Sequence, residues 1–133
     1  NIETPYKWAL LGRDPLPQWT SGRVSMLGDA CHPTLPMLAQ GANMAIEDGM
    51  VLARCIEADA HDLPAALKRF ERARIERTSM IVRRSNEAAK RFHNPALANP
   101  AGAEAYVNRE WAPEKVEANY GWLFEYDALT VSI

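Results

Sequence analysis

Between Gly28 and Asp48 the chain concentrates residue types that do chemistry: Gly28-Asp29, then His32, Pro33 and Pro36, then Ala39-Gln40-Gly41-Ala42-Asn43, and finally Glu47-Asp48. An ionised carboxylate such as Asp29 only accepts hydrogen bonds, which suits a ligand carrying a row of hydroxyls. A glycine directly before it lets a ligand or another backbone come close. Gly41 to Asn43 open a run rich in alanine, methionine and isoleucine. A helix starting there offers free N–H groups and partial positive charge to an anionic or electron-rich group, with Gly41 allowing a flat ring to approach. A strand end, an acidic tip, a stiff proline loop and a helix start would then converge on one ligand. The same residues also admit a plain strand–loop–helix connection in which Asp29 merely caps a turn.

The elements that must position these groups follow from local pattern. Val24–Leu27 is short, apolar and flanked by Gly22 and Gly28, and reads as a strand that brings Asp29 to its C-terminal edge. A first helix is predicted from about Ala42 to Ile56. A second begins after Asp62 as N-cap, with Leu63 and Pro64 in its first turn. Leu67, Phe70, Thr78, Ile81, Ser85, Ala89 and Phe92 form its buried stripe, and His93-Asn94-Pro95 ends it. Ala101–Glu110 and Pro113–Tyr120 read as short helices, and the aromatic end Trp122–Leu129 as a segment packing on the rest. Glu47 and Asp48 are neighbours on a helix and point in different directions, so they form no carboxylate pair; Asp48 is expected to support the loop. Gly49 within the first helix costs about 1 kcal/mol relative to alanine, which close helix packing would justify.

Composition removes other classes. With 133 residues, 47% hydrophobic and 24% charged, the chain is long enough for one domain with a core and is not disordered in character. No apolar run reaches the roughly 18–20 residues of a membrane span, so no membrane partner is expected. Two cysteines, Cys31 and Cys55, point to a reducing, cytoplasmic setting, and with His32 they have no zinc spacing; no metal is expected. His61 and His93 lie at helix boundaries without partners at metal spacing. His32 reads as fixing the loop rather than as a catalytic base, and Cys31 has no activating base. Lys68 to Arg91 holds nine basic and three acidic residues against a net charge of −2 for the whole chain. Few aromatics interleave with them, so this stretch reads as a solvated helix face paired with Glu71, Glu76 and Glu87, not as a nucleic-acid surface.

The stretch Gly28 to Asp48 closely resembles the second flavin-binding motif of the FAD-dependent aromatic hydroxylases, Gly-Asp-Ala-x-His-x-x-x-Pro-x-x-x-x-Gly-x-Asn followed by Ala-x-x-Asp. It matches at Gly28, Asp29, Ala30, His32, Pro36, Gly41, Asn43, Ala45 and Asp48. Phe70 to Arg77 and the end Trp122-Leu123-Phe124-Glu125-Tyr126-Asp127 are similar to the helix and tail of the branch that includes salicylate, 3-hydroxybenzoate and 6-hydroxynicotinate hydroxylases. The resemblance implies an α/β FAD-binding fold like that of p-hydroxybenzoate hydroxylase, of which this piece is mainly helical with one or two short strands. It divides the piece into 1–60, the last portion of the FAD-binding domain, and 61–133, a long helix with a helical, aromatic tail. It implies that Asp29 binds the ribityl hydroxyls with Gly28 giving access, that Pro36 presents its carbonyl near flavin and substrate, and that Gly41, Ala42 and Asn43 hold the N1–C2 edge of the isoalloxazine through backbone N–H groups, with Ala39 and Gln40 also among the cofactor-binding residues. It implies FAD as cofactor, NAD(P)H as reductant, O2, and a small aromatic acid as substrate, with a homodimer left open.

Three departures bear on this. Many relatives have glycine where Ala39 stands, and a methyl should be tolerable there if the backbone keeps φ below zero. Met37 replaces a histidine that some pyridine hydroxylases carry, so no catalytic base is identified. The fingerprint Gly-x-Gly-x-x-Gly is absent and the chain opens on Asn1 without a methionine; both read as the C-terminal part of an enzyme whose N-terminal part is missing. A helical interaction module without enzymatic activity, or a halogenase or dehydrogenase of the same fold, are the alternatives.

Overall fold

The computed structural model describes residues 3–133; Asn1, and with it the reading of the chain's start, lies outside them. The chain is extended and irregular up to a small antiparallel hairpin of β1 (Thr20–Ser21) and β2 (Val24–Ser25), paired Thr20 to Ser25 and Ser21 to Val24. Gly22 turns the hairpin with φ +57°, in the left-handed region where glycine carries no Cβ penalty. The predicted strand therefore stops at Ser25, two residues short of Leu27. One more backbone bond, Met26 N–H to Trp19 C=O, closes the ribbon before the chain turns away.

Two helices make the body. α1 (Gly41–Ala58) extends slightly beyond the predicted bounds at both ends, and α2 (Leu63–Phe92) starts where Asp62 predicts, its carboxylate accepting the Ala65 N–H at 3.1 Å. They pack along most of α1, burying Met44, Asp48, Val51 and Cys55 on one side. Trp19 from the hairpin, Cys31, Val51, Cys55 and Phe70 form the main core, and Met44, Ile81 and Leu123 a second one. The α2 stripe holds at Phe70, Thr78, Ile81 and Ser85 and fails at its end, since Phe92 is exposed. Gly49 does not serve packing: it is exposed, and a Cβ there would meet nothing within 4 Å among the described residues.

Beyond α2 come α3 (Pro100–Glu110) and α4 (Pro113–Val116), the latter widening into a π turn at Glu117–Gly121 before α5 (Trp122–Phe124). The predicted helix from Pro113 to Tyr120 is thus α-helical only in its first turn. Among the described residues no helix is long and apolar enough to cross a membrane.

Candidate functional site

Gly28 is the pivot. Its φ of +59° explains why glycine stands there, while an added Cβ would make ordinary contact with Ala45 Cβ at 3.4 Å. The contact also places the turn against the first turns of α1. Gly28–Ala30 is a 3-10 turn whose Gly28 C=O accepts the N–H groups of Cys31 and His32, both at 3.0 Å, and the Cys31 thiol. The Gly28 N–H points inward and donates to Asp48 Oδ2 at 3.1 Å. Asp29, next in the turn, is exposed, and it lies beyond the hairpin on this turn rather than at a strand edge. The Arg13 guanidinium donates to the Ala30 C=O and ties the extended segment to the same turn.

The proline loop continues to a second 3-10 turn, Pro36–Leu38, held on α2 by the Ser85 hydroxyl donating to Leu35 C=O at 2.6 Å. Pro36 is exposed. Ala39 closes this turn with φ +52° and ψ +33°, so the condition for an unstrained methyl there, a φ below zero, is not met. An L-residue there carries the strain of a left-handed conformation, about 1–2 kcal/mol. Gln40, buried, is the N-cap of α1, yet among the described residues no side chain caps the helix. The first-turn N–H groups of Gly41, Ala42 and Asn43 are those an α-helix leaves without intrahelical partners. A Cβ at Gly41 would make only ordinary contact with Thr34 Cγ2 at 3.6 Å, so the protein's own packing does not demand glycine. A cavity of about 300 Å³ lies beside this helix start, lined by Gln40, Asn43, Ile46, Glu47, Leu123, Phe124 and Tyr126.

Beneath the turn is a buried ion network. Asp48 accepts from His32 Nε2 at 2.6 Å and from Arg74 Nε at 2.7 Å, besides the Gly28 N–H. Burial alone would push its carboxyl up; the hydrogen bonds from His32 and Arg74 and the positive charge beside it outweigh that and hold it below the usual carboxylate range. Arg74 is itself fully buried. Burial disfavours its charge, but the hydrogen bond and negative charge of Asp48 hold its pKa above the usual arginine value. Arg74 Nη2 also meets Glu47 Oε2 at 2.7 Å, and Arg77 grips Glu47 bidentately at 2.8 and 2.9 Å.

Asp48 therefore supports the loop as expected, and His32 is a buried loop-fixing residue with its ring 5.3 Å from that of Trp19. Glu47 and Asp48 are nevertheless joined, through one guanidinium. Two of the nine basic residues of α2 are internal, which corrects the reading of a solvated face. Glu71 pairs with no arginine there; its Oε2 accepts the N–H groups of Trp19 and Thr20, both at 2.6 Å. Composition hides these arginines, but their spacing does not: Phe70, Arg74, Arg77, Thr78 and Ile81 follow the three- and four-residue steps of the buried stripe. Ligand atoms of Cys31, His32 and Asp48 lie within 4.8 Å of one another. Asp48 is already bonded to three donors, and burial pushes the Cys31 thiol up to about 12, so the cluster is poorly suited to a cation.

Residues 11–85 match the family model described as an FAD binding domain. The chain is 55% identical over 82 residues to 6-hydroxynicotinate 3-monooxygenase of Pseudomonas fluorescens, covering 61% of this chain and 21% of that protein. It is 38% identical over 120 residues to 3-hydroxybenzoate 6-hydroxylase of Polaromonas naphthalenivorans, covering 87% of this chain and 30% of that protein. The crystal structure of FqzB superposes with a TM-score of 0.57 at 33% identity, covering 90% of this chain and 32% of the other. The chain thus spans about a third or less of the length of these proteins.

Proposed function

We propose, from the premise that this chain belongs to the FAD binding domain family, that it is the ribityl- and isoalloxazine-binding part of a flavin-dependent monooxygenase that hydroxylates an aromatic acid using FAD, NAD(P)H and O2. The observation that carries the reading is the juxtaposition of the Gly28–Asp29 turn with the uncapped start of α1. The donor set fits this half of FAD. Asp29, an exposed carboxylate, is an acceptor for ribityl hydroxyls, and Gly28 leaves room beside it. Gly41, Ala42 and Asn43 offer backbone N–H groups and the positive end of an 18-residue helix to the electron-rich edge of the ring. Gln40 and Ala39 set the angle at which the helix begins, and Pro36 presents its carbonyl from an exposed turn. When bound, the flavin supplies the redox and oxygen chemistry; these residues orient it and stabilise negative charge at the ring edge.

The relatives named above act on 6-hydroxynicotinate and 3-hydroxybenzoate by their names, which supports a hydroxylated aromatic carboxylate as the substrate class. Tyr6, Trp8, Leu10 and Leu11 are exposed on the extended segment, at 79, 82, 61 and 82%. Such a run of apolar surface supports packing against further protein of the same enzyme. The complete protein should purify yellow, and its NADH or NADPH oxidation should accelerate on adding a hydroxylated aromatic carboxylate. A colourless protein, or no stimulation across a panel of such acids, would sink the proposal. The 133-residue chain alone lacks the glycine fingerprint for the pyrophosphate, and FAD titrated into it should bind more weakly than about micromolar.

A further inference from the structure

The end of the chain is tied down in a way that reaches the cofactor turn. Leu123 packs on Met44 and Ile81, and its C=O accepts Arg77 Nη2 at 3.2 Å. Ala128 C=O accepts Arg54 Nη1 at 2.8 Å. Between these anchors the Tyr126 ring lies over two guanidinium groups, with its centroid 4.0 Å from Arg77 Cζ and 5.0 Å from Arg74 Cζ. The same residues, Leu123, Phe124 and Tyr126, wall the cavity beside Gln40 and Asn43.

We propose that the tail Trp122–Asp127 is a clamp on the cofactor-binding turn and that Tyr126 is its positioning residue. The path is continuous. Tyr126 covers Arg77 and Arg74; both arginines hold Glu47, and Arg74 holds Asp48; Asp48 holds the Gly28 N–H and His32. Cation–π contact is strongest where water is excluded, and Arg74 is fully buried while Arg77 is nearly so. The Tyr126 hydroxyl is buried without a hydrogen-bond partner among the described residues, so the ring face, and not the hydroxyl, does the holding. Removing the ring admits water to the guanidinium groups, weakens the grip on Asp48 and frees the turn that carries Asp29. That this turn meets FAD rests on the function proposed above; the clamp itself does not.

The test is amide hydrogen exchange in the complete protein freed of its cofactor, read at single-amide resolution. In Tyr126→Leu the Gly28 amide should exchange roughly tenfold faster relative to the Val51 and Cys55 amides further along α1. Tyr126→Phe should stay within about twofold of the parent, because it keeps the ring face. Equal acceleration at Gly28, Val51 and Cys55, or failure of phenylalanine to restore protection, overturns the clamp. Should Tyr126→Leu not fold, Arg77→Lys keeps the charge facing Glu47 but loses the planar group under the ring. It should show the same selective loss at Gly28, and unchanged relative exchange there overturns the clamp. In the complete protein, Tyr126→Leu should weaken FAD binding by roughly tenfold, read by flavin fluorescence. Selective exchange at Gly28 with unchanged FAD affinity leaves the clamp standing and removes the cofactor from this turn.

Discussion

Replacing Asp48 by asparagine tests the centre of the network. The substitution keeps shape and removes one charge. Two of the three donors on Asp48 sit on Oδ2, the Gly28 N–H and His32 Nε2, and the third, Arg74 Nε, on Oδ1. An asparagine presents an NH2 group to one side or the other, so at least one donor faces a donor. Breaking a buried ion pair by neutralising one partner costs about 3–5 kcal/mol. Glu47 still meets Arg74 Nη2 at 2.7 Å, which places the expected loss near the lower end, about 3 kcal/mol. That is a large share of the roughly 5–15 kcal/mol that holds a domain together. Urea unfolding at pH 7 measures it. The pH dependence gives an independent sign. The folded carboxyl titrates below its usual range, so its contribution is fully present above the unfolded pKa and is lost as the pH falls through the folded one. The difference between parent and variant should therefore hold from neutrality to about pH 5 and shrink below about pH 4. A loss under about 1 kcal/mol, or a difference that does not narrow in acid, refutes the network as drawn.

Two small substitutions exchange backbone freedom in opposite directions. Ala39→Gly relieves a left-handed alanine and should stabilise by about 0.5–1 kcal/mol once the extra freedom of the unfolded glycine is deducted, while Gly49→Ala, with nothing near its Cβ position, should stabilise by up to about 1 kcal/mol; denaturant midpoints check both, and a destabilised Ala39→Gly would show that the φ of +52° carries no strain. Cys31, fully buried with its thiol pushed up to about 12, should resist iodoacetamide at pH 8 in the folded chain and react only on unfolding, as mass spectrometry of timed samples would show.

Much of the positioning scaffold was legible because its signals are local. Asp62 caps α2 with its own carboxylate, and the glycine at 28 stands where the backbone needs a positive φ. What escaped was non-local or conformational. Alanine at 39 gives no sign of a left-handed backbone; that conformation follows from closing the Pro36–Leu38 turn directly onto α1. Composition alone carries the β2 strand on through apolar Met26 and Leu27, while the chain at that point leaves β1, a two-residue strand and its only partner among the described residues. The π turn at Glu117–Gly121 likewise breaks a pattern that composition alone carries through to Tyr120.

The nine basic residues of α2 show where charge counting and burial part company. Nine basic residues on one helix look like surface when each helix is considered alone, since an unpaired buried guanidinium is prohibitively costly. Glu47 and Asp48 on α1 change that balance. They supply adjacent carboxylates where Arg74 and Arg77 fall on the inner stripe of α2, so part of the apparent excess on one helix is neutralised by the other across their interface. Glu71, meanwhile, is withdrawn from the arginines to hold the hairpin backbone. The buried arginines then do more than balance charge. Being planar and multidentate, they join α1 to the tail through paired hydrogen bonds and a stacked ring at once, where a lysine would offer only a single point charge. The Gly28 turn hangs on Asp48, so its geometry depends on both helices and on the end of the chain. A local motif from Gly28 to Asp48 marks where such a site lies, but the residues that hold it still are as distant in sequence as Arg74, Arg77 and Tyr126.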